Sequence, residues 1–374
     1  MSAPSSSHAL KDVRAVAETL VIATIGGVSV GMTGFPGGYI SGAIVAVAVA
    51  ALARRPMKIP VWLTRIIFVL IGISLGSVVT PETLQGMATY PLSIAVLIVA
   101  MVVVGYTGAL YLRLVHGWDN ASAYLAAAPG GMSQVLAIAA DVGADIRGVA
   151  IVQTLRVVLV AVGLPAGLAL LGLAGTSTGS IGGPLNPDMF GELAILVVAS
   201  SAAAVIAYYF RFPGGLLFGA MVTSAVLHGT GWIHAVMPWW VANMAMIALG
   251  AVTGSRFGNM PLRLLLNFVA AAFGSFALAL LVVAVFAAGL LSVVSLPVAE
   301  VMIAFAPGSV DAMMLLALAL HLDPVYVGAH HLTRIFFVSL IMPFVGRSAA
   351  RELKRPDDKK AAPRDPLPPP TFQD

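Results

Sequence analysis

The interior of this chain is almost free of charge, and no other feature constrains its fold as strongly. Only 21 of the 36 charged residues lie between positions 15 and 346. The whole chain is 59% hydrophobic and 10% charged, with a mean hydropathy of +0.98. Soluble domains are about half apolar and roughly a quarter charged. A soluble fold is therefore excluded, and the sequence predicts an all-α polytopic membrane protein.

Ten apolar runs are long enough to cross a bilayer, which takes about 20 apolar residues per helix. Glycine, proline and charged residues separate these runs from one another. The predicted crossings are 15–32, 35–53, 61–79, 90–112, 146–171, 191–210, 213–229, 238–255, 263–290 and 325–346.

Two further apolar segments, 120–141 and 297–320, are interrupted near their middles by Pro-Gly. Their arms are too short to cross alone, so each segment is either a re-entrant hairpin or one interrupted crossing. With two hairpins and an internal N-terminus, no Lys or Arg falls in an external loop, in agreement with the positive-inside bias. Interrupted crossings would move four arginines outside: Arg147, Arg211, Arg256 and Arg263. We therefore expect re-entrant hairpins and cytoplasmic termini.

The chain is also two copies of one unit. A shift of 178 residues places Pro129-Gly130 on Pro307-Gly308 and Arg156 on Arg334, and a shift of 177 places Phe-Pro-Gly-Gly at 35–38 on its copy at 212–215. Five crossings and one hairpin per unit make the second copy inverted. Inverted repeats with discontinuous helices are typical of transporters, whose sites lie between the repeats.

This duplication predicts five regions along the chain. The tail is rich in proline and charge, which is typical of disorder. The regions are a cytoplasmic N-terminus at 1–14, membrane repeat 1 at 15–171, an external linker at 172–190, membrane repeat 2 at 191–346 and a disordered cytoplasmic tail at 347–374.

The two Pro-Gly breaks carry the predicted substrate site. If the hairpins enter from opposite sides, the breaks meet near mid-membrane, where each second arm begins with free backbone N–H groups that attract anions. A tight turn with a serine cap is the alternative for a single break, but two symmetry-related breaks favour a binding site. The candidate substrate-binding residues are Gly130, Gly131, Ser133, Gln134, Gly308 and Ser309.

Arg156 and Arg334 are further candidates, since each lies about 15 Å into its span. Each has a polar residue three positions earlier, Gln153 and His331 respectively. An arginine at the bilayer centre costs at least ~2.5 kcal/mol, so it normally faces inward and is paired. The four residues either hold an anionic substrate group or belong to structural ion pairs that fasten the span to its hairpin.

Asp311 breaks the symmetry of the two hairpins, because the first unit has Ser133 at the equivalent position. A buried carboxylate in one repeat only is what coupling to H⁺ or Na⁺ needs. Asp311 is therefore the candidate ion-coupling residue. The alternatives are a first-turn acid that matches the helix dipole, or a partner of Arg334.

No set of residues predicts a metal or catalytic centre. The chain has no cysteine, and His330 and His331 point about 100° apart on a helix. We predict neutral, hydrogen-bonded histidines, no metal, no catalytic residue and no cofactor other than a coupling H⁺ or Na⁺.

At residues 128–134 the chain reads Ala-Pro-Gly-Gly-Met-Ser-Gln, with Gln153-x-x-Arg156 after it, and the second copy has Ala-Pro-Gly-Ser-Val-Asp at 306–311 with His330-His331-x-x-Arg334. Over nearly its whole length it resembles the AbrB family of duplicated bacterial membrane proteins. Members are labelled as ammonia monooxygenases, as regulators of gene expression or as transporters. The family shares only a name with the small DNA-binding transition-state regulator.

This chain departs from the family pattern at one place. The pattern has an acidic residue soon after the first Pro-Gly-Gly, where this chain has Gln134. That difference weakens a cation site at the first hairpin. The halves of five spans and one hairpin are also similar to those of bacterial glutamate/sodium symporters, as an architectural analogy.

The sequence thus predicts a secondary transporter that moves a small anionic solute by alternating access. We expect it in the bacterial inner membrane, in contact with lipid and solute but not with nucleic acid, and a homodimer is compatible with this prediction. One alternative is a membrane-bound monooxygenase-like enzyme, for which the chain lacks copper or iron ligands. The other is a membrane protein that regulates gene expression indirectly, for which no output domain is found.

Overall fold

The computed structural model describes residues 6–79, 90–129, 132–173, 182–184, 187–258 and 260–353. Within these residues the chain forms 14 α-helices and no β-strand. A short 3-10 helix, Pro187–Met189, joins the two halves. The fold is therefore all-α, as the sequence predicts.

The first seven helices belong to the first half of the chain. They are α1 (Ser6–Gly31), α2 (Gly38–Leu52), α3 (Val61–Gly76), α4 (Tyr90–His116), α5 (Asn120–Ala127), α6 (Met132–Val142) and α7 (Ile146–Leu170).

The other seven follow in the second half. They are α8 (Phe190–Tyr209), α9 (Gly215–Gly229), α10 (Trp239–Ser255), α11 (Leu262–Leu291), α12 (Val298–Phe305), α13 (Val310–Ala319) and α14 (Pro324–Leu353).

Helices of the two halves correspond one to one, and the match is closest in the last three. Helices α12, α13 and α14 each begin 178 residues after α5, α6 and α7. This is the shift that aligns the two halves of the sequence. The same local signals, Pro at the break and Asp before the third helix, therefore end and begin the same elements twice.

Five of the described helical segments are long and apolar enough to cross a membrane. They are Asp12–Gly31, Tyr90–His116, Ile146–Leu170, Pro187–Tyr209 and Leu262–Leu291. Helices α2, α3, α9 and α13 are also apolar but shorter. These features are consistent with an all-α membrane protein, while the total of ten crossings and the re-entrant hairpins stay predictions.

The helices at the two ends of the chain extend beyond the predicted crossings. Helix α1 already begins at Ser6, within the segment 1–14 that was expected to precede the first crossing. Helix α14 continues to Leu353, past the predicted start of the tail at residue 347. Residues 354–374, the rest of the predicted tail, lie outside the described residues.

Contacts divide the helices into two groups. The first three helices of each half, α1–α3 and α8–α10, pack against one another and are called the scaffold here. The last four of each half, α4–α7 and α11–α14, pack against one another and are called the core. Both broken segments belong to the core.

Glycines hold the scaffold together in a symmetric way. A Cβ on Gly72 of α3 would lie 2.4 Å from the backbone oxygen of Leu217 on α9, and one on Gly250 of α10 would lie 2.7 Å from that of Ile40 on α2. Gly76 and Gly254 make the next contacts one turn later, through the Gly-x-x-x-Gly spacing that brings helices together. The predicted packing role of these glycines is confirmed.

The scaffold meets the core at both Phe-Pro-Gly-Gly segments. In the first, Gly37 has a left-handed φ of 64° and lies against Leu316 of α13. In the second, Phe212 packs edge-on against Phe336 of α14, with ring centroids 5.7 Å apart. Ser41 on α2 adds a hydrogen bond to the Ala161 carbonyl on α7, at 3.1 Å. The repeated motif thus forms the border between the two groups.

Candidate functional site

Each of the two Pro-Gly sequences breaks a helix in the same way. Ala128 and Ala306, the residues before Pro129 and Pro307, have φ/ψ of −57°/125° and −58°/136°. Proline disfavours the helical conformation in the residue before it, so α5 and α12 both end there. The chain then starts a new helix, α6 or α13, within a few residues. We call these two elements the first and second broken pairs.

Arg156 and Gln153 on α7 cap the end of α5. The last carbonyls of a helix have no partner inside it. Arg156 donates hydrogen bonds to the carbonyls of residues 126–128 at 2.9–3.5 Å, and Gln153 donates to those of residues 125 and 128 at 3.0 Å. The Gln153 amide oxygen in turn accepts from Arg156. Four consecutive carbonyls are thus satisfied by two buried side chains.

Arg334 and His331 on α14 do the same for α12. Arg334 donates to the Ala306 carbonyl at 2.7 Å and to the Gly308 carbonyl, while His331 Nε2 donates to the Ile303 carbonyl at 3.2 Å. Both side chains are almost fully buried, Arg334 at 5% exposure and His331 at 0%. A cation at a helix C-terminus is also favoured by the dipole of that helix.

These contacts answer one of the questions that the sequence leaves open. The structural alternative for Arg156 and Arg334 was an ion pair to the hairpin, but both guanidinium groups bind backbone carbonyls. Among the described residues, neither arginine forms a salt bridge that the structure shows. Their structural role is therefore helix capping, and binding of substrate by the same groups stays a prediction.

Three buried polar atoms beside the breaks have no hydrogen-bond partner in the described part of the chain. They are Arg156 Nε, Ser309 Oγ and His331 Nδ1. Because His331 Nε2 donates to a carbonyl, the Nδ1 atom of the neutral ring is an acceptor. An unpaired buried polar group costs about 1–3 kcal/mol, so such atoms need an explanation. Their position next to both breaks makes them candidate ligand contacts.

The second arms lie between the two arginine-bearing helices. Helix α6 contacts both α7 and α14, and so does α13. At the second break, a Cβ on Gly308 would lie 3.0 Å from Val160, one turn beyond Arg156 on α7. The start of α13 therefore approaches the helix that carries the arginine of the other repeat, as the predicted meeting of the breaks requires.

Not all predicted contact residues can be placed. Gly130 and Gly131 lie outside the described residues. Ser133 and Gln134 belong to the first turn of α6, at the start of the second arm. Ser309 precedes the first residue of α13 and makes no capping hydrogen bond with its side chain.

Asp311 lies in the first turn of α13 and is half-buried. Its alternative role as a partner of Arg334 is not seen among the described residues, since that arginine binds carbonyls. The side chain instead lines a cavity of about 750 Å³ between the core and the scaffold. Its place at a helix N-terminus agrees with the first-turn alternative, and coupling to an ion stays a prediction.

A second contact closes the base of each broken pair, and sequence reasoning missed it. In the first pair, Ser122 Oγ accepts from the Asp145 backbone N–H at 2.8 Å. In the second, Glu300 Oε1 accepts from the Asp323 N–H at 3.1 Å. Both acceptors are separated by the same 178-residue shift, which was the signal that could have found them. We call this contact the base contact.

His330 takes part in a hydrogen-bonded cluster in the second half of the core. Its Nδ1 atom lies 2.7 Å from the Tyr326 carbonyl and its Nε2 atom 2.8 Å from Ser93 Oγ on α4. Tyr90 on the same helix donates to Asp323 at 2.9 Å. In the described part of the chain, no group of three or more His, Cys, Asp or Glu residues is arranged to hold a metal ion.

Comparison with known proteins places the chain among bacterial sequences. It is 24% identical over 360 residues to "Uncharacterized protein YhjN" of Bacillus subtilis (strain 168), covering 87% of this chain and 90% of that protein. It is 28% identical over 279 residues to "Putative regulator AbrB" of Escherichia coli (strain K12), covering 73% of this chain and 77% of that protein.

A family model described as "Transition state regulatory protein AbrB" matches residues 39–350. The match includes both broken pairs, both capping arginines and both base contacts. It confirms the resemblance found in the sequence. Because the match covers most of the chain, this protein belongs to the AbrB family.

Proposed function

We propose that the protein is a secondary transporter that moves a small anionic solute by alternating access, with coupling to H⁺ or Na⁺. The single observation that carries this proposal is the pair of broken helices, capped by buried arginines and flanked by unpaired polar atoms. Broken backbone at membrane depth is tolerated only where protein or a water-filled cavity surrounds it. Transporters place such breaks at their binding sites.

The charges at the breaks favour an anion. Two buried arginines lie there, and the N-termini of α6 and α13 add partial positive charge. Asp311 is the one carboxylate in the first two turns of either second arm. A buried charge that lacks compensation is costly, so an anionic group that accepts from Arg156 Nε and Ser309 Oγ would complete the site.

Packing of the helices supports a moving core. Core helices contact one another extensively, whereas contacts with the scaffold are made by α3 and α2 and by the Phe-Pro-Gly-Gly segments. We propose that the core moves as a unit along this border and carries the site from one side to the other. This arrangement includes ten crossings, two re-entrant hairpins and two inverted repeats.

Uptake into liposomes tests the proposed function. Purified protein would be assayed with a panel of labelled carboxylates, phosphate and sulfate, with imposed H⁺ or Na⁺ gradients and with protein-free liposomes as the control. We expect concentrative uptake of at least one anion. Metal-dependent oxygen consumption in the absence of any uptake would contradict the proposal and favour an enzyme.

Labelling of single cysteines tests the proposed topology, because the chain has no cysteine of its own. Asp141 at the end of α6 and Trp232 after α9 are both exposed. We expect Asp141→Cys to react with an impermeant thiol reagent only from the cytoplasm and Trp232→Cys only from outside. Reaction of both from the same side would show that the first broken pair crosses the membrane.

A further inference from the structure

A cavity of about 750 Å³ opens at the border between the scaffold and the core. Small-molecule sites typically have roughly 300–1,000 Å³ and lie at interfaces between structural units. Aromatic side chains of the scaffold form much of its wall, among them Phe68, Tyr208 and Phe218. From the core, the start of α13 contributes Val310 and Asp311. The cavity therefore ends at the second break.

Arg211, which lines the scaffold side of this cavity, has an unusual backbone conformation. Its φ is 56°, in the left-handed region that side chains other than glycine rarely adopt. The equivalent position in the first repeat is Gly34, with a φ of 75°. The second repeat thus has an arginine where the first has the residue that adopts this conformation without strain. A strained residue beside a cavity points to a function for its side chain.

Charge in the cavity is unevenly placed. Asp311 lies on the core side, and Arg256 at the end of α10 attracts it electrostatically. Arg211 lies on the scaffold side and is exposed. An anion that enters the cavity is attracted by Arg211 and repelled by an ionised Asp311, because like charges a few ångströms apart repel strongly where water is scarce.

We propose that this cavity is the vestibule through which the anionic solute reaches the breaks, and that Arg211 is its specificity-determining residue. Arg211 recruits the anion at the mouth. Asp311 admits the anion to the second break only after a proton or Na⁺ has neutralised the carboxylate, so the cation binds first. This inference rests on the proposed function and adds an access route, a selecting residue and an order of binding to it.

Two thiol reagents of similar size measure the field in the vestibule without any knowledge of the substrate. One methanethiosulfonate carries a sulfonate and the other a trimethylammonium group. Leu216, another residue of the cavity wall, would be changed to cysteine in the otherwise cysteine-free chain. We expect both reagents to react from the cytoplasmic side, with the sulfonate reagent the faster.

Substitution of the two charges should change the ratio of the reaction rates in opposite directions. In the Leu216→Cys background, Arg211→Gly should lower the sulfonate-to-ammonium ratio roughly fivefold, and Asp311→Asn should raise it by a similar factor. Arg54→Gly is the matched control, because Arg54 also has a left-handed φ, of 63°, but does not line the cavity. It should leave the ratio unchanged.

Thermal unfolding separates a local charge effect from misfolding. Both arginine-to-glycine changes remove left-handed strain, so neither should lower the unfolding midpoint. The vestibule is contradicted if neither reagent reacts, as in a lipid-filled cavity, or if Arg54→Gly changes the ratio as much as Arg211→Gly. A charge-dependent ratio in a protein that takes up no anion would support the vestibule and count against the proposed transport.

Discussion

The two broken pairs share a backbone arrangement and differ in the side chains placed around it. Each first arm ends before proline, each end is capped by an arginine, and each base is closed by a backbone N–H of an aspartate. The side chains beside these contacts differ: Gln153, Ser122 and Ser133 in the first pair correspond to His331, Glu300 and Asp311 in the second. Ionisable groups are thus added only to the second pair.

This difference separates support from function. Groups that satisfy the helix ends are kept in both copies, because an open helix end inside a membrane costs free energy wherever it occurs. Carboxylates and histidine in one copy serve no need of the shared backbone. The comparison therefore assigns structural support to the symmetric contacts and coupling chemistry to the asymmetric ones.

The largest effect is expected from removal of the capping arginines. Arg156→Ala and Arg334→Ala each leave two carbonyls without another donor, so each should lose roughly 3 kcal/mol of stability. Thermal unfolding in detergent should show similar losses for both variants. Arg65→Ala is the control, since Arg65 reaches only the exposed Tyr208 hydroxyl, at 2.9 Å. Severe unfolding of one variant alone would show that the two caps are not equivalent.

A smaller effect is expected when the second cap is made to resemble the first. In His331→Gln, the amide nitrogen can donate to the Ile303 carbonyl and its oxygen can accept from Arg334, as in the Gln153 arrangement. We expect a loss below ~1 kcal/mol, against roughly 1–2 kcal/mol for His331→Ala. Equal losses in these two variants would show that the caps do not share one geometry.

The smallest effect is expected at the base contacts. Ser122→Ala removes the acceptor of one backbone N–H and should cost about 1 kcal/mol. Glu300→Gln keeps an oxygen acceptor for the Asp323 N–H and should change the unfolding midpoint little. A Glu300→Gln protein that is stable but has lost the dependence of uptake on H⁺ would move the coupling role from Asp311 to Glu300.

Much of this architecture could be predicted from local signals in the sequence. Pro129 and Pro307 predict the breaks because proline ends a helix by steric exclusion, which acts without tertiary contacts. The shift of 178 residues predicts the correspondence of the helices, and the spacing of Gly72 and Gly76 predicts close packing. These features depend on the chain near each residue or on its duplication.

The partners of the buried arginines could not be predicted in the same way. A sequence shows that Arg156 needs a partner but not that three successive carbonyls of another helix supply it. Backbone carbonyls occur at every residue and leave no mark in the composition. The left-handed Arg211 was missed for a related reason, since its strain becomes visible only beside Gly34 once the backbone is known.

Asp311→Asn in liposomes tests the central claim most directly. If the second broken pair alone carries the coupling group, this variant should lose concentrative uptake driven by a cation gradient but retain exchange of internal for external anion. Ser133→Asn, at the equivalent position of the first pair, is the matched control and should keep gradient-driven uptake. Full gradient-driven uptake by Asp311→Asn would contradict the assignment of coupling to this residue and to the asymmetry of the two pairs.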